Sequence, residues 1–188
     1  MTIAKADILV SVNKICKRAE TDIDNILLEA MEEISRRTGA VPALATGTTT
    51  ANQEYVAAPT DLAGNLIHSI YLGTDRPLGI LTWTQYLNNN YYSGYCLYKD
   101  RIYLRPTPGD STTQYNLEYS KIDDDVDNIE LPDDFKPALT RLTAAKLYEK
   151  YERYDEVEKQ ITLFERLLRQ LQGHRPTAPV CQYNGQGM

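Results

Sequence analysis

The chain has 188 residues, of which 42% are hydrophobic and 24% charged, and its formal net charge is −6. That length is one domain, or one domain with an insert, and a fold of this size buries about 70% of its unfolded surface, so it needs no disulfide or metal staple. A net negative chain repels nucleic acid on average and leaves no counterion-release footprint, which argues against a nucleic-acid reader, with a local basic patch still open.

Residues Thr2 to Arg18 read as a helix, because Ile8, Leu9, Val12, Ile15 and Cys16 fall on one face of a 3.6-residue period. A second helix opens at Thr21, with Asp24 three residues on in a capping-box-like start. Its apolar stripe is Ile23, Ile26, Leu27, Ala30, Met31 and Ile34. Arg36 and Arg37 suit the negative end of its dipole, and Gly39 stops it. Ala40 to Thr50 reads as a loop of small residues, and Thr48 to Val56 as a strand that ends at Pro59. Leu66 to Leu72, apolar on both faces, predicts a buried strand, followed by turn chemistry from Gly73 to Pro77. Thr82 to Leu87 predicts a short helix capped by Thr82 and ended by Asn88, Asn89 and Asn90.

Tyr95–Tyr98 and Ile102–Leu104 flank Lys99-Asp100-Arg101 and predict a hairpin with Leu97, Ile102 and Leu104 facing inward. Pro106 to Asp110 is a loop. From Gln114 to Lys121, Tyr115, Leu117 and Tyr119 alternate with Asn116, Glu118 and Ser120, and the short turns imply an antiparallel sheet. An acidic loop follows from Asp123. Leu131-Pro132-Asp133-Asp134 then starts a helix that is apolar nearly all round and is expected to be the most buried. After a break near Arg153 to Asp155, Val157, Ile161, Phe164, Leu168 and Leu171 form a heptad-like seam for one neighbouring helix. From Gly173 onward no pattern remains, and a flexible tail is expected. The expected fold class is α+β: a bundle built from helices of both chain ends (1–39 and 131–172), an antiparallel β insert (48–121) and the tail (173–188).

Little in the chain suggests catalysis. His68 and Ser69 are neighbours on a strand, where regular alternation sends their side chains to opposite faces. Asp123, Asp125 and Asp127 mimic the first ligands of a calcium loop, but Asn128 stands where Gly is needed and Asp134 where Glu is needed. A solvated acidic loop is the simpler reading. No phosphate-cradling glycine loop is present, and no metal or other cofactor is implied. Cys16, Cys96 and Cys181 are odd in number and far apart, so they read as free thiols of a reducing compartment. Residues Met1 to Asp7 lack the apolar core of a signal peptide, and no apolar run reaches the roughly 18 residues of a spanning helix, so a soluble chain made inside the cell is expected.

Tyrosine is the informative residue type. It makes up 14 of the 17 aromatics, and eight tyrosines lie between Tyr86 and Tyr119. A ring that packs and a hydroxyl that stays wet suit half-exposed strands and protein interfaces. Tyr91, Tyr92, Tyr95, Tyr98 and Tyr103 are therefore candidate interface residues.

The order of elements resembles the head–tail adaptor proteins of tailed bacteriophages, a group that includes podophage tail tubular protein A and other connector or head-completion proteins. The resemblance runs from about Ala6 to Gln172. It rests on the two N-terminal helices with Ile34-Ser35-Arg36-Arg37, and on Tyr55 to Leu62. It also rests on the paired strands from Tyr95 to Pro108 that end in Pro-x-Pro, on Leu131-Pro132-Asp133-Asp134-Phe135 and on two closing helices. It implies a non-enzymatic virion protein that forms a homo-oligomeric ring, typically dodecameric, between the portal protein and the tail or nozzle proteins. Double-stranded DNA would pass through that ring without specific binding, and no membrane is involved. The chain would sit at the head–tail interface of the virion, and in the host cytoplasm during assembly. The C-terminal segment would dock on the portal, with His174 and Arg175 meeting acidic groups and Val180 and Tyr183 as anchors. A different neck component such as a tail terminator, and a cytoplasmic module that holds a peptide on its sheet, are the other classes the residues allow.

Overall fold

The computed structural model of the chain describes residues 3–73, 77–88, 93–109 and 113–172. Its elements are α1 (Lys5–Cys16), α2 (Asp24–Thr38), β1 (Val41–Thr48), β2 (Tyr55–Ala57), β3 (Leu62–Leu72), β4 (Gly79–Ile80), α3 (Trp83–Asn88), β5 (Gly94–Tyr98), β6 (Arg101–Arg105), β7 (Gln114–Lys121), α4 (Lys136–Lys150) and α5 (Tyr154–Gln172). Asp133–Phe135 forms a single 3-10 turn before α4. The class is α+β, as the order of periodicities predicts. The described chain divides into two compact units, one from 3–41 with 121–172 and one from 42–120.

The first unit is helical. Its core gathers Ile8 and Val12 of α1, Leu27, Met31 and Ile34 of α2, Leu139, Leu142 and Leu147 of α4, and Phe164 and Leu168 of α5. Each such side chain contributes about 1.5–3 kcal/mol by leaving water. Nine residues of α4 are buried, including Thr140 and Thr143, whose hydroxyls donate to the Lys136 and Leu139 carbonyls at 2.8 Å each. A polar side chain can occupy so apolar a helix because the preceding turn satisfies it. The seam on α5 packs chiefly on α4, with Val157, Ile161 and Leu171 half-buried at its margins. Gly39 ends α2 in the left-handed region (φ 59°), its N–H donating to the Ser35 carbonyl. The start of α2 differs from expectation. The helix begins at Asp24, and Asp22 rather than Thr21 accepts the first free N–H, at 2.9 Å.

The second unit holds two sheets: a three-stranded one in the order β1-β7-β3 and a four-stranded one in the order β2-β6-β5-β4. Val56, Ile67, Ile70, Tyr95, Ile102, Leu104, Leu117 and Tyr119 form its core. Three corrections to the sequence reading come from here. Residues 41–48, read as a loop, are strand β1. Its inward positions Ala43, Ala45 and Gly47 are small because β7 supplies the volume. The Tyr115 ring lies so close over Gly47 that a Cβ there would sit 2.6 Å from its hydroxyl. The strand read from Thr48 to Val56 shrinks to Tyr55–Ala57, and Asn52 turns the intervening loop with φ 60°. The sheet is not wholly antiparallel either. β4 pairs with β5 in parallel, Gly79 opposite Gly94, and α3 is the crossover that such a pair requires.

Candidate interaction site

The β5–β6 hairpin has two unlike faces. Ile102 and Leu104 point into the core with Tyr95 and Leu97, as their alternation predicts. Arg101, Tyr103 and Arg105 take the other face of β6. Pairing brings Tyr55 of β2 and Cys96 of β5 opposite Tyr103, and Tyr98 opposite Arg101. The short helix α3 adds Trp83 and Tyr86 to that same cluster. It is held by a reciprocal cap: Thr82 Oγ1 accepts from the Gln85 N–H at 3.2 Å, and Gln85 Oε1 accepts from the Thr82 N–H at 2.9 Å.

Five rings thereby form one cluster. Trp83 stacks on Tyr98 at 4.3 Å and 11°, and on Tyr86 at 5.5 Å and 10°. Tyr103 is the hub, with Tyr55, Trp83, Tyr86 and Tyr98 at 5.6, 5.1, 5.5 and 6.5 Å, all tilted or edge-on. Pairs of this geometry contribute about 0.5–1.5 kcal/mol each beyond burial, so the cluster is stiff. Tyr55, Trp83, Tyr98 and Tyr103 remain half-exposed, whereas Tyr86 is buried. The Tyr86 hydroxyl donates to Glu54 at 3.2 Å. Burial first, and the Glu54 charge second, push its pKa up, with Arg105 opposing them.

Cations cap the rings. Arg101 stands 4.2 Å over Tyr55, Arg105 4.6 Å over Tyr86 and Lys99 5.5 Å over Tyr98. Among the described residues of the β unit these are all the lysines and arginines. Aromatic faces attract cations electrostatically, by about 0.5–1 kcal/mol at exposed sites. The face therefore offers rigid rings and fixed positive charge.

Of the candidate interface residues, Tyr98 and Tyr103 lie on this face. Tyr95 does not, because it is 1% exposed in the core and presents no surface. Tyr91, Tyr92, His174, Arg175, Val180 and Tyr183 lie outside the described residues. Tyr55, Trp83, Arg101 and Arg105 were missed. The Arg-x-Tyr-x-Arg alternation marks Arg101 and Arg105 in the sequence, and nothing in it marks Tyr55 or Trp83.

Ile67 and Ile70 of β3 are both buried, with His68 and Ser69 half-buried between them. His68 Nε2 meets Ser120 Oγ at 2.8 Å, and Ser69 Oγ donates to the Glu118 carboxylate. Glu118 and Ser120 share a face of β7, so both side chains turn the same way, each to its own partner and not to one another. Nearby, the Tyr119 hydroxyl donates to Asp61 at 3.0 and 3.2 Å. Burial, then that carboxylate, push its pKa up to about 12.

In the helical unit the acidic loop is built for structure. Asp123 is buried, and its Oδ2 accepts the N–H groups of Glu130 and Leu131 at 2.8 and 2.9 Å. Burial raises its pKa, and those two bonds oppose the rise. Asp125 Oδ1 accepts the Asp127 and Asn128 N–H groups, an Asx turn rather than a ligand set. Among the described residues no three His, Cys, Asp or Glu side chains gather as a metal site. Cys16 and Cys96 are buried free thiols. A groove of about 600 Å³ is lined by Ser11, Lys14, Lys136, Arg141 and the apolar Ile15 and Leu167. No described helix is long and apolar enough to cross a membrane.

The molecule is an α+β protein with a stiff, half-exposed aromatic face. The chain matches the SU10 adaptor protein family over residues 3–182 and belongs to that family, whose members are structural adaptors of phage particles. It is thus a virion component of a family that is structural and not enzymatic. No curated protein matches it.

Proposed function

We propose that copies of this chain form a closed ring between the phage portal and the tail, in the manner of podophage tail tubular protein A. The family match over nearly the whole chain carries this reading. Three features of the molecule support it. The aromatic–cation face supplies Tyr, Trp and Arg, the residue types that dominate protein interfaces. The net charge of −6 gives a lining along which DNA slides, because few phosphates are neutralised. The segment 173–188, with His174, Arg175, Val180 and Tyr183, is assigned to portal docking by resemblance. The ring, dodecameric by the same resemblance, extends the DNA channel and offers its far face to tail or nozzle proteins.

Electron cryomicroscopy of intact particles tests this directly. A ring of this chain at the head–tail vertex is the expected result, and a vertex without it refutes the reading. Deleting residues 174–188 is expected to leave melting unchanged and to weaken binding to purified portal. Equal binding by the truncated chain would remove the docking role of the tail.

A further inference from the structure

We propose that the aromatic–cation face of the four-stranded sheet docks the acidic segment 124–134 of a second copy of this chain. The inference rests on the ring reading and names the contact that would close such a ring.

Two cations of the face meet no carboxylate among the described residues. Lys99 and Arg101 are exposed, and each is held over a ring, Tyr98 and Tyr55 respectively. Neither forms an ion pair with another described residue. A guanidinium lying flat on a ring keeps its N–H edge free for a carboxylate, where it makes paired, charge-assisted bonds. Around it, Tyr98, Tyr103 and Trp83 are already packed, so docking orders little that is mobile.

The segment carries the opposite excess. Asp124, Asp125, Asp127, Glu130, Asp133 and Asp134 are all exposed. Lys5 answers Asp127 at 3.3 Å and Lys121 answers Glu130 at 2.6 Å, whereas Asp124 and Asp134 pair with no cation among the described residues. The segment's shape is also fixed in advance. Asp123 ties the Glu130 and Leu131 N–H groups, Asp125 ties those of Asp127 and Asn128, and Ile129 pairs with Ile3. Preformed acid therefore meets preformed base with little ordering cost on either side.

The two patches belong to different units of the chain. A contact between unlike patches is heterologous. Each copy gives one patch and receives the other, and repetition closes a ring when the rotation permits. A nucleic acid is the poorer occupant of the face, because three cations stand against a chain of net charge −6.

Charge reversal tests the contact. Arg101→Glu and the double substitution Asp124→Lys/Asp134→Lys are each expected to weaken self-association about tenfold or more, read by sedimentation velocity in low salt. An equimolar mixture of the two is expected to restore it. At the reversed positions that mixture sets opposite charges together, whereas each variant alone sets like against like there. Association of the wild-type chain is expected to fall as salt rises to about 0.5 M, where screening becomes short-ranged. Lys99→Glu at the hairpin turn repeats the test without disturbing Tyr55. A variant that associates like the wild type, a mixture that fails to recover, or a wild-type chain that stays monomeric in low salt overturns the contact. A particle ring that neither reversal disturbs sinks this contact and leaves the ring reading intact, whereas a vertex without the ring sinks both.

Discussion

The two units use their large side chains in opposite ways. In the helical unit Phe135, Phe164, Leu139 and Leu142 all point inward, and the exposed surface is laced with ion pairs such as Lys136–Asp7 and Arg37–Glu165. That arrangement suffices to explain a stable bundle, and outside the acidic segment 124–134 it points to no partner. In the β unit aliphatic residues fill much of the core, while Tyr55, Trp83, Tyr98 and Tyr103 stand half-exposed on the other side of the sheet. Rings left half in water contribute less to folding than buried ones, so their placement is better explained by contact with another molecule. The helical core is where stability is expected to be lost on mutation, and the aromatic face of the β unit is where binding is expected to be lost.

The largest expected effect tests the first half of that contrast. Leu142 is 1% exposed in the middle of α4, and Leu142→Asp places an unpaired carboxylate there. A loss of at least about 4 kcal/mol is expected, enough to unfold the helical unit, read as collapse of the helical circular dichroism. Unchanged melting would remove α4 from the centre of the core. The matching test in the β unit is Gly94→Ala. A Cβ at Gly94 would lie 2.5 Å from the Gly79 carbonyl oxygen and 2.7 Å from Leu81 Cγ. Backbone cannot step aside as a side chain can, so a cost of about 2 kcal/mol is expected at the parallel β4–β5 pair. Trp83, the only tryptophan, reports that unit by fluorescence. Its transition is expected to move to lower temperature while the helical signal moves less. Identical shifts would mean that the units melt as one.

The same contrast explains what was legible in the sequence. Helices α1, α2 and α5 announce themselves because a 3.6-residue stripe of large apolar side chains has one interpretation, and α4 because its apolar run is too long for a strand. β1 does not, because its inward residues are Val41, Ala43, Ala45 and Gly47, and Tyr115 of a distant strand fills the space over Gly47. That is tertiary information. The hairpin lies between these cases. The parity that sends Leu97 inward also sends Tyr95 inward, so its burial is readable from the alternation. The convergence of Tyr55, Trp83 and Tyr103 was not readable, since three separate elements meet there.

A smaller effect concerns Tyr119. Its pKa of about 12 lies above the usual value near 10, so the folded state holds the proton that the unfolded chain releases. The unfolded state then binds fewer protons across that window, and stability falls as pH rises from about 10 to about 12. Tyr119→Phe is expected to cost about 1.5 kcal/mol at neutral pH, where the bond to Asp61 is lost, and to flatten the alkaline decline. Melting curves on both sides of the window check this. An equally steep decline in the variant would assign it to another tyrosine.

The smallest effect probes how the aromatic face is held. Trp83 reaches Tyr98 only because α3 starts where it does, and Thr82 with Gln85 fixes that start. Thr82→Ala removes the hydroxyl that accepts the Gln85 N–H. On a six-residue helix exposed along most of its length, the loss is about 0.5 kcal/mol, too little to shift global melting clearly. Local order is more sensitive. A frayed α3 lifts Trp83 from the Tyr98 ring into water, so its emission is expected to shift to the red while the helical dichroism stays constant. Thr82→Ser, which keeps an accepting hydroxyl, is expected to retain the wild-type spectrum. If the face is the contact that joins copies of the chain, Thr82→Ala also weakens self-association while Thr82→Ser does not. An emission shift without any change in association would show that Trp83 stiffens the hairpin and leaves the docking to Tyr55, Tyr98 and Arg101.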